Sequence, residues 1–157
     1  MDEIDRRLLT ALQRDAAASV ETLGERIGLS RNACWRRIRR LEQDGVITAR
    51  VALVDPRKVN LALTVFIAIR TDEHNPDWLR DFARAMAEMP EIQGVYRTSG
   101  ELDYLIKARV SDVAAYDELY QRLIRKVRLS DVSASFVMEE IKETTELPLA
   151  YAASTRT

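Results

Sequence analysis

Gly28-Leu29-Ser30-Arg31-Asn32-Ala33-Cys34-Trp35-Arg36-Arg37-Ile38-Arg39-Arg40-Leu41 reads as a tight turn followed by a short helix with two jobs. Cys34, Ile38 and Leu41 recur at helical spacing and form one apolar stripe suited to packing on a core. At roughly 100° of rotation per residue, Asn32, Arg36, Arg39, Arg40 and Gln43 point outward or to the flank. Exposed Arg and amide side chains suit phosphates and the edges of guanine and adenine. With a helix ahead of the turn, the segment is a candidate helix-turn-helix.

Working outward, Ile4, Leu8, Leu9 and Leu12 give an earlier helix an apolar face, with Asp2 or Glu3 at its positive end. Ser19 caps a second helix carrying Val20, Leu23 and Ile27, which Gly28 ends. Ser30 caps the third and Gly45 stops it. Beyond Gly45 the periodicity changes: Val46-Ile47 and Val51-Ala52-Leu53-Val54 look like short strands of a small wing. Asp55-Pro56-Arg57-Lys58 is a turn or linker. The expected organisation is a winged helix-turn-helix domain over 1–54, a linker over 55–60 and a second domain over 61–157.

The second domain alternates strand and helix patterns. Leu61 to Thr71 is a strong strand, and Asn75-Pro76 can begin a helix reaching about Met89. Ile92 to Ser99 and Leu102 to Val110 are strands separated by Gly100-Glu101, a short hairpin turn. A helix from Asp112 to Val127 and a strand from Val132 to Lys142 complete the order βαββαβ, the ferredoxin-like pattern. The fold class is therefore α+β. Both helices of this pattern lie on one sheet face, yet the strands carry apolar groups on both sides: Val65, Ile67 and Ile69 against Phe66 and Ala68, Ile106 against Leu105, and Phe136 and Met138 against Val137 and Ile141. A surplus apolar surface marks an interface, so a homodimer formed through these sheets is expected.

Composition narrows the function classes. The 157 residues carry a formal net charge of -1, which argues against coating nucleic acid through bulk positive charge. The basic residues are concentrated instead: Arg31, Arg36, Arg37, Arg39 and Arg40 face only Glu42 and Asp44 in the same stretch. A single cysteine excludes an internal disulfide, and no apolar run approaches the roughly 20 residues of a membrane helix. The start Met1-Asp2-Glu3 is unlike a secretory signal, so a cytoplasmic location is expected. One His and one Cys make no conventional zinc site. No phosphate-binding glycine loop or nucleophile–base pattern appears, so neither an enzyme nor a cofactor is expected.

The chain from Met1 to about Leu149 resembles the Lrp/AsnC (feast/famine) family of transcriptional regulators. The resemblance is carried by Ile4-Asp5-Arg6-Arg7-Leu8-Leu9, Gly28-Leu29-Ser30, Cys34-Trp35-Arg36-Arg37-Ile38-Arg39-Arg40-Leu41-Glu42 and Asp44-Gly45-Val46-Ile47. It continues through Asp55-Pro56, Gly100-Glu101-Leu102-Asp103-Tyr104 and Val137-Met138-Glu139-Glu140-Ile141-Lys142. It implies winged-helix binding to double-stranded promoter DNA, a second domain (of RAM type) that senses an amino acid, and dimers that assemble further, often to octamers. The Cys34-Trp35 pair and the ending Glu143-Thr144-Thr145-Glu146-Leu147-Pro148 look most like the branch containing cysteine-responsive regulators.

Two sets of site residues follow. On the third helix, Ser30, Arg31, Asn32 and Arg36 are placed to meet base edges or nearby phosphates; Arg37, Arg39 and Arg40 are phosphate contacts or partners for Glu42 and Asp44. Trp35 and Cys34 are read as structural, an aromatic beside a core stripe and a small inert hydrophobe. His74 is read as a loop residue, and the adjacent Glu139 and Glu140 as pointing to opposite strand faces. In the second domain, Ser99-Gly100-Glu101-Leu102-Asp103-Tyr104 makes an ordinary hairpin on spacing alone. A zwitterionic amino acid needs donors for its carboxylate and an acceptor for its ammonium. Gly100 lets backbone N–H groups approach, and Asp103 or Glu101 can hold the ammonium. The resemblance places the effector near this hairpin, where dimers meet, and links Phe136 and Val137 to the response, with Ser133 and Ser135 as polar contacts. The alternative function is an amino-acid-sensing assembly module without productive DNA binding.

Overall fold

A computed structural model describes residues 1–152, which divide into two compact units. The first combines Met1–Leu53 with residues 142–152; the second is Val54–Ile141. The strand pattern alone places the segment after Lys142 in the second domain, whereas it packs with the first. Gln13 explains part of this: its amide donates to the Leu147 carbonyl at 3.2 Å and accepts the Leu147 N–H at 2.7 Å. Leu149 then joins the edge of the helical core.

Three helices build the first unit: α1 (Glu3–Arg14), α2 (Val20–Ile27) and α3 (Arg31–Gln43). Each begins at a side-chain cap, Asp2, Ser19 and Ser30, which satisfies an N–H that the helix start leaves unpaired. At α1 the cap is reciprocal. Asp2 accepts the Asp5 N–H at 2.8 Å and Asp5 accepts the Asp2 N–H at 3.1 Å. Between α2 and α3, Gly28 takes a left-handed conformation at φ 76 and the Leu29 N–H reaches the Gly24 carbonyl at 2.8 Å. A Cβ on Gly24 would stand 2.6 Å from the Leu29 carbonyl oxygen, so α2 and the turn meet where only glycine fits. Leu8, Leu9, Leu12, Leu23, Ile27, Cys34, Ile38 and Leu41 form the core, one stripe from each helix.

The expected wing strands do not form. The Val46 and Ile47 N–H groups both turn back to the Leu41 carbonyl, at 2.9 and 3.0 Å, and close the end of α3. Val51, Leu53 and Val54 belong to no strand and lie exposed. The linker contains a short 3-10 turn, Pro56–Val59, capped by Asp55.

The second unit holds β1 (Leu63–Arg70), α4 (Pro76–Ala87), β2 (Ile92–Arg97), β3 (Tyr104–Val110), α5 (Val113–Lys126) and β4 (Asp131–Phe136). The sheet is antiparallel in the order β2-β3-β1-β4, as the ferredoxin-like pattern requires. Val65, Ile67 and Ile69 of β1 and Tyr104, Ile106, Ala108 and Val110 of β3 meet Trp78, Phe82, Leu119 and Leu123 of the two helices. By strand alternation, Thr64, Phe66, Ala68, Leu105, Lys107 and Arg109 share the face away from those helices.

β4 stops at Phe136, short of the expected Lys142. The Val137 N–H still reaches the Thr64 carbonyl at 2.9 Å. Beyond it, the Glu140 carboxylate accepts from the Thr64 hydroxyl at 2.9 Å and from Arg109 at 2.8 Å. These contacts draw the chain across Thr64 and Arg109, which are direct partners in the β1–β3 ladder, so it leaves the edge ladder. Phe136 packs edge-on to Tyr116 of α5 at 5.2 Å, placing it on the helix side, whereas Met138 and Ile141 lie almost fully exposed.

Candidate nucleic-acid interface and effector hairpin

α3 has two unlike flanks. One faces α1, where Asp5 is only 1% exposed. Arg37 reaches Asp5 at 2.8 Å and Asp2 at 2.6 Å, and Arg40 reaches Asp5 at 2.6 Å. A buried carboxylate needs this compensation, because an unpaired charge away from water is costly. The arrangement tightens the Arg37 proton, chiefly through the Asp2 hydrogen bond and then the one to Asp5. Arg37 and Arg40 therefore pair with α1, not with Glu42 or Asp44. Glu42 is taken by Arg50 at 2.8 Å and by Arg39 at 3.7 Å.

The remaining face points to solvent. Ser30 is exposed, and its hydroxyl accepts the Ala33 N–H at 3.3 Å as the helix cap. Arg31, Asn32 and Arg36 are exposed, and none of their side chains makes a hydrogen bond or ion pair among the described residues. Trp35 departs from its expected structural role. It is 52% exposed, with the Arg39 guanidinium 5.7 Å from its ring centroid. Cys34 does occupy the core, and burial pushes its thiol up from the ordinary value. The outward face of α3 thus consists of Asn32, Arg36 and Arg39, flanked by Arg31 and Trp35: donors for phosphates and base edges around one aromatic ring.

Sequence reasoning missed the role of Asp5. Its signal was present, since Asp2 and Asp5 stand at capping-box spacing opposite an Arg-rich helix.

The candidate effector residues do not share one place. Ser99, Gly100 and Glu101 form the exposed tip between β2 and β3, with Gly100 at φ 124, a conformation that favours glycine. Glu101 lies 3.7 Å from Arg70. Asp103 sits behind the tip and is already engaged: its carboxylate accepts the Thr71 N–H at 2.9 Å and its own N–H donates to the Ile69 carbonyl at 3.0 Å. Tyr104 turns inward, its ring 4.7 Å from Phe82 and 5.7 Å from Trp78. Ser133 and Ser135 are exposed and pair in register with Ala68 and Phe66 on the open sheet face. Phe136 and Val137 lie at the other end of β1, where Phe136 pairs with Val65 while Tyr104 pairs with Ile69. Four residues of strand separate those positions (69 minus 65), about 13 Å at ~3.3 Å per residue. One protomer does not gather all nine around one point.

Among the described residues, no group of three or more His, Cys, Asp or Glu is placed to hold a metal ion. No helix among the described residues is long and apolar enough to cross a membrane.

Comparison with known proteins agrees with both units. Residues 1–42 match the AsnC-type helix-turn-helix domain, and residues 64–147 match the Lrp/AsnC ligand binding domain. The chain is 47% identical over 150 residues to the DNA-binding transcriptional activator DecR of Escherichia coli K12, covering 95% of this chain and 99% of that protein. An AsnC family transcriptional regulator from Agrobacterium tumefaciens superposes with a TM-score of 0.95 at 50% identity, covering 98% of this chain and 100% of the other. A transcriptional regulator from Neisseria meningitidis, solved as its L-Met complex, superposes with a TM-score of 0.91 at 34% identity, covering 96% and 97%. With its arginine-bearing third helix and its ferredoxin-like second unit, the chain belongs to the Lrp/AsnC family of DNA-binding transcriptional regulators.

Proposed function

We propose that the solvent face of α3, chiefly Asn32 and Arg36 with Ser30, Arg31 and Arg39 at its margins, binds promoter DNA in the major groove, and that an amino acid taken up by the second unit changes that binding. The observation that carries the DNA half is the division of α3. Five arginines lie between Arg31 and Arg40, two of them tied to α1. Arg31 and Arg36 lie free beside Asn32, and Arg39 lies at the edge, over the Trp35 ring and 3.7 Å from Glu42. A gel-shift titration across a salt series tests it. Affinity falling steeply with salt, and falling further for Arg36→Ala, supports the reading; an unchanged Arg36→Ala affinity overturns it.

For the effector, the exposed Gly100 tip offers close backbone approach and Glu101 an acceptor for an ammonium group. The L-Met complex of the Neisseria regulator supports an amino acid as the ligand class. Cysteine is the first candidate, on the Cys34-Trp35 pair and the residues 143–148. Thermal-shift screening against the free amino acids tests this, because a ligand preferring the native state raises its stability. A rise with cysteine alone supports the assignment; a rise with another amino acid only replaces it. Asp103→Ala should remove the effector's influence on DNA binding while sparing binding itself. Loss of both would leave Asp103 as the stitch to Thr71 and nothing more.

The assembly we propose is a cytoplasmic homodimer joined partly through the open sheet face and building to an octamer. Phe66, Ala68 and Leu105 on that face, and the exposed Met138 and Ile141 beyond β4, support it. A second copy would also bring Phe136 and Val137 near another protomer's hairpin, which one chain does not do. Sedimentation showing a monomer at micromolar concentration overturns the assembly.

A further inference from the structure

Trp35 is an apolar side chain in a polar place. It follows Cys34 on α3, about 100° further round the helix, and so leaves the core stripe for the flank away from Asp5. Half its surface is exposed, whereas Cys34, Ile38 and Leu41 are buried. Arg39, one turn later, sets its guanidinium over the ring. One turn earlier stand Arg31 and Asn32, and Arg36 follows directly. The indole is therefore surrounded on the solvent face by the residues proposed to read DNA.

In the major groove a base pair offers hydrogen-bond donors and acceptors and, at thymine alone, an apolar C5-methyl group. Recognition helices address base edges with their N-terminal residues, and Trp35 is the fifth residue of α3, within that part. Arg and Asn side chains pair with guanine and adenine edges but gain little from a methyl. We infer that Trp35 is a specificity-determining residue whose indole packs on a thymine methyl in the operator, next to the base pairs read by Asn32 and Arg36. This rests on the proposed α3 interface.

The test uses the full-length protein. Duplexes are selected from a random pool, and each thymine of the selected site is then replaced in turn by deoxyuridine, which removes only the methyl group. At one or more thymines the wild-type affinity should fall about fourfold, the equivalent of one buried methyl group at ~0.8 kcal/mol. Trp35→Ala should bind thymine and deoxyuridine duplexes equally at those positions. Fluorescence supplies a readout that needs no variant. The chain has two tryptophans, and Trp78 is buried, so acrylamide quenching reports Trp35 and should drop when operator DNA is added.

A selected site without thymine, a wild type indifferent to every deoxyuridine, a Trp35→Ala that keeps the full penalty, or quenching unmoved by operator each overturns the inference. Arg36→Ala separates this from failure of the interface itself. If that variant weakens thymine and deoxyuridine duplexes alike, α3 is the interface and only the role of Trp35 is in question. If it binds like the wild type, the interface reading falls first.

Discussion

The two flanks of α3 carry the same residue type in opposite states. Arg37 and Arg40 are tied to the carboxylates of α1, while Arg31 and Arg36 point into solvent. An arginine's chemistry is fixed, but its role depends on what stands opposite. Where a buried Asp5 faces the helix, arginine is structural and ties α3 to the start of α1. Where nothing faces it, the same guanidinium is available to a phosphate or a guanine. The tied flank thereby supports the free one.

The largest expected effect comes from breaking the tied flank. Asp5→Ala removes a nearly buried carboxylate that two arginines share, and with it half of the reciprocal cap. Removing one partner of a buried pair costs about 3–5 kcal/mol, and the partial exposure of Arg40 puts this case near 3 kcal/mol. Urea unfolding followed by circular dichroism should show it. Asp5→Asn keeps an oxygen for the Asp2 N–H and should lose less. Were Asp5→Ala as stable as the wild type, the flanks would not differ in kind.

Arg36→Ala should do the converse. Loss of one base-reading arginine costs about 1–3 kcal/mol of operator affinity, roughly 5- to 150-fold, with stability unchanged within ~0.5 kcal/mol. Operator titrations paired with unfolding curves would separate the two variants cleanly. Equal losses in both measurements would make Arg36 a structural residue.

The fold was legible in the sequence to the extent that short-range rules govern it. Ser19, Ser30 and Asn75 act as the helix caps their positions announce, and Gly28 takes the left-handed turn. The alternation of Val65, Ile67 and Ile69 fixes the buried sheet face. What escaped depends on partners distant in sequence. The Val46-Ile47 pattern looks like strand, yet those N–H groups close α3. Glu140 ends β4 early because it reaches Thr64 and Arg109, residues that no local rule brings to it. Within the site, the outward positions of Asn32 and Arg36 follow from helical rotation alone. The commitment of Arg37 and Arg40 does not, because it requires knowing that α1 presents Asp5 to that flank. Trp35 shows a different failure: its angle was readable, and only the general habit of aromatics assigned it to the core.

A subtler comparison uses salt. If Arg39 meets a phosphate and Arg40 is held by Asp5, Arg39→Ala should reduce the slope of log affinity against log salt by about 0.9, one counterion's worth. Arg40→Ala should leave that slope unchanged while lowering the unfolding midpoint. Identical slopes for the two variants would mean that the Asp5 contact opens on DNA.

The smallest expected effect concerns pH, and it probes the rim of the tied flank. The native Asp2 carboxyl titrates below its ordinary value because it accepts the Asp5 N–H and, secondarily, faces Arg37. A carboxyl depressed in the folded state stabilises that state above the unfolded pKa of about 3.9, and the contribution disappears as pH falls through the lower native value. Asp2 is half exposed, so solvent screening keeps the gain below ~1 kcal/mol. In the second unit, Glu140 is depressed in the same direction, first by its hydrogen bond from Thr64. Both units should therefore be flat in stability from about pH 5 to neutrality and weaken below about pH 4. Asp2→Asn retains a capping oxygen but has no charge to lose, so it should soften the acid transition seen through Trp35 and leave that of Trp78 in place. Glu140→Gln should do the reverse. Should either variant move both transitions together, the two units would be sharing one acid-sensitive step, and the difference between the flanks of α3 would have to be sought at neutral pH alone.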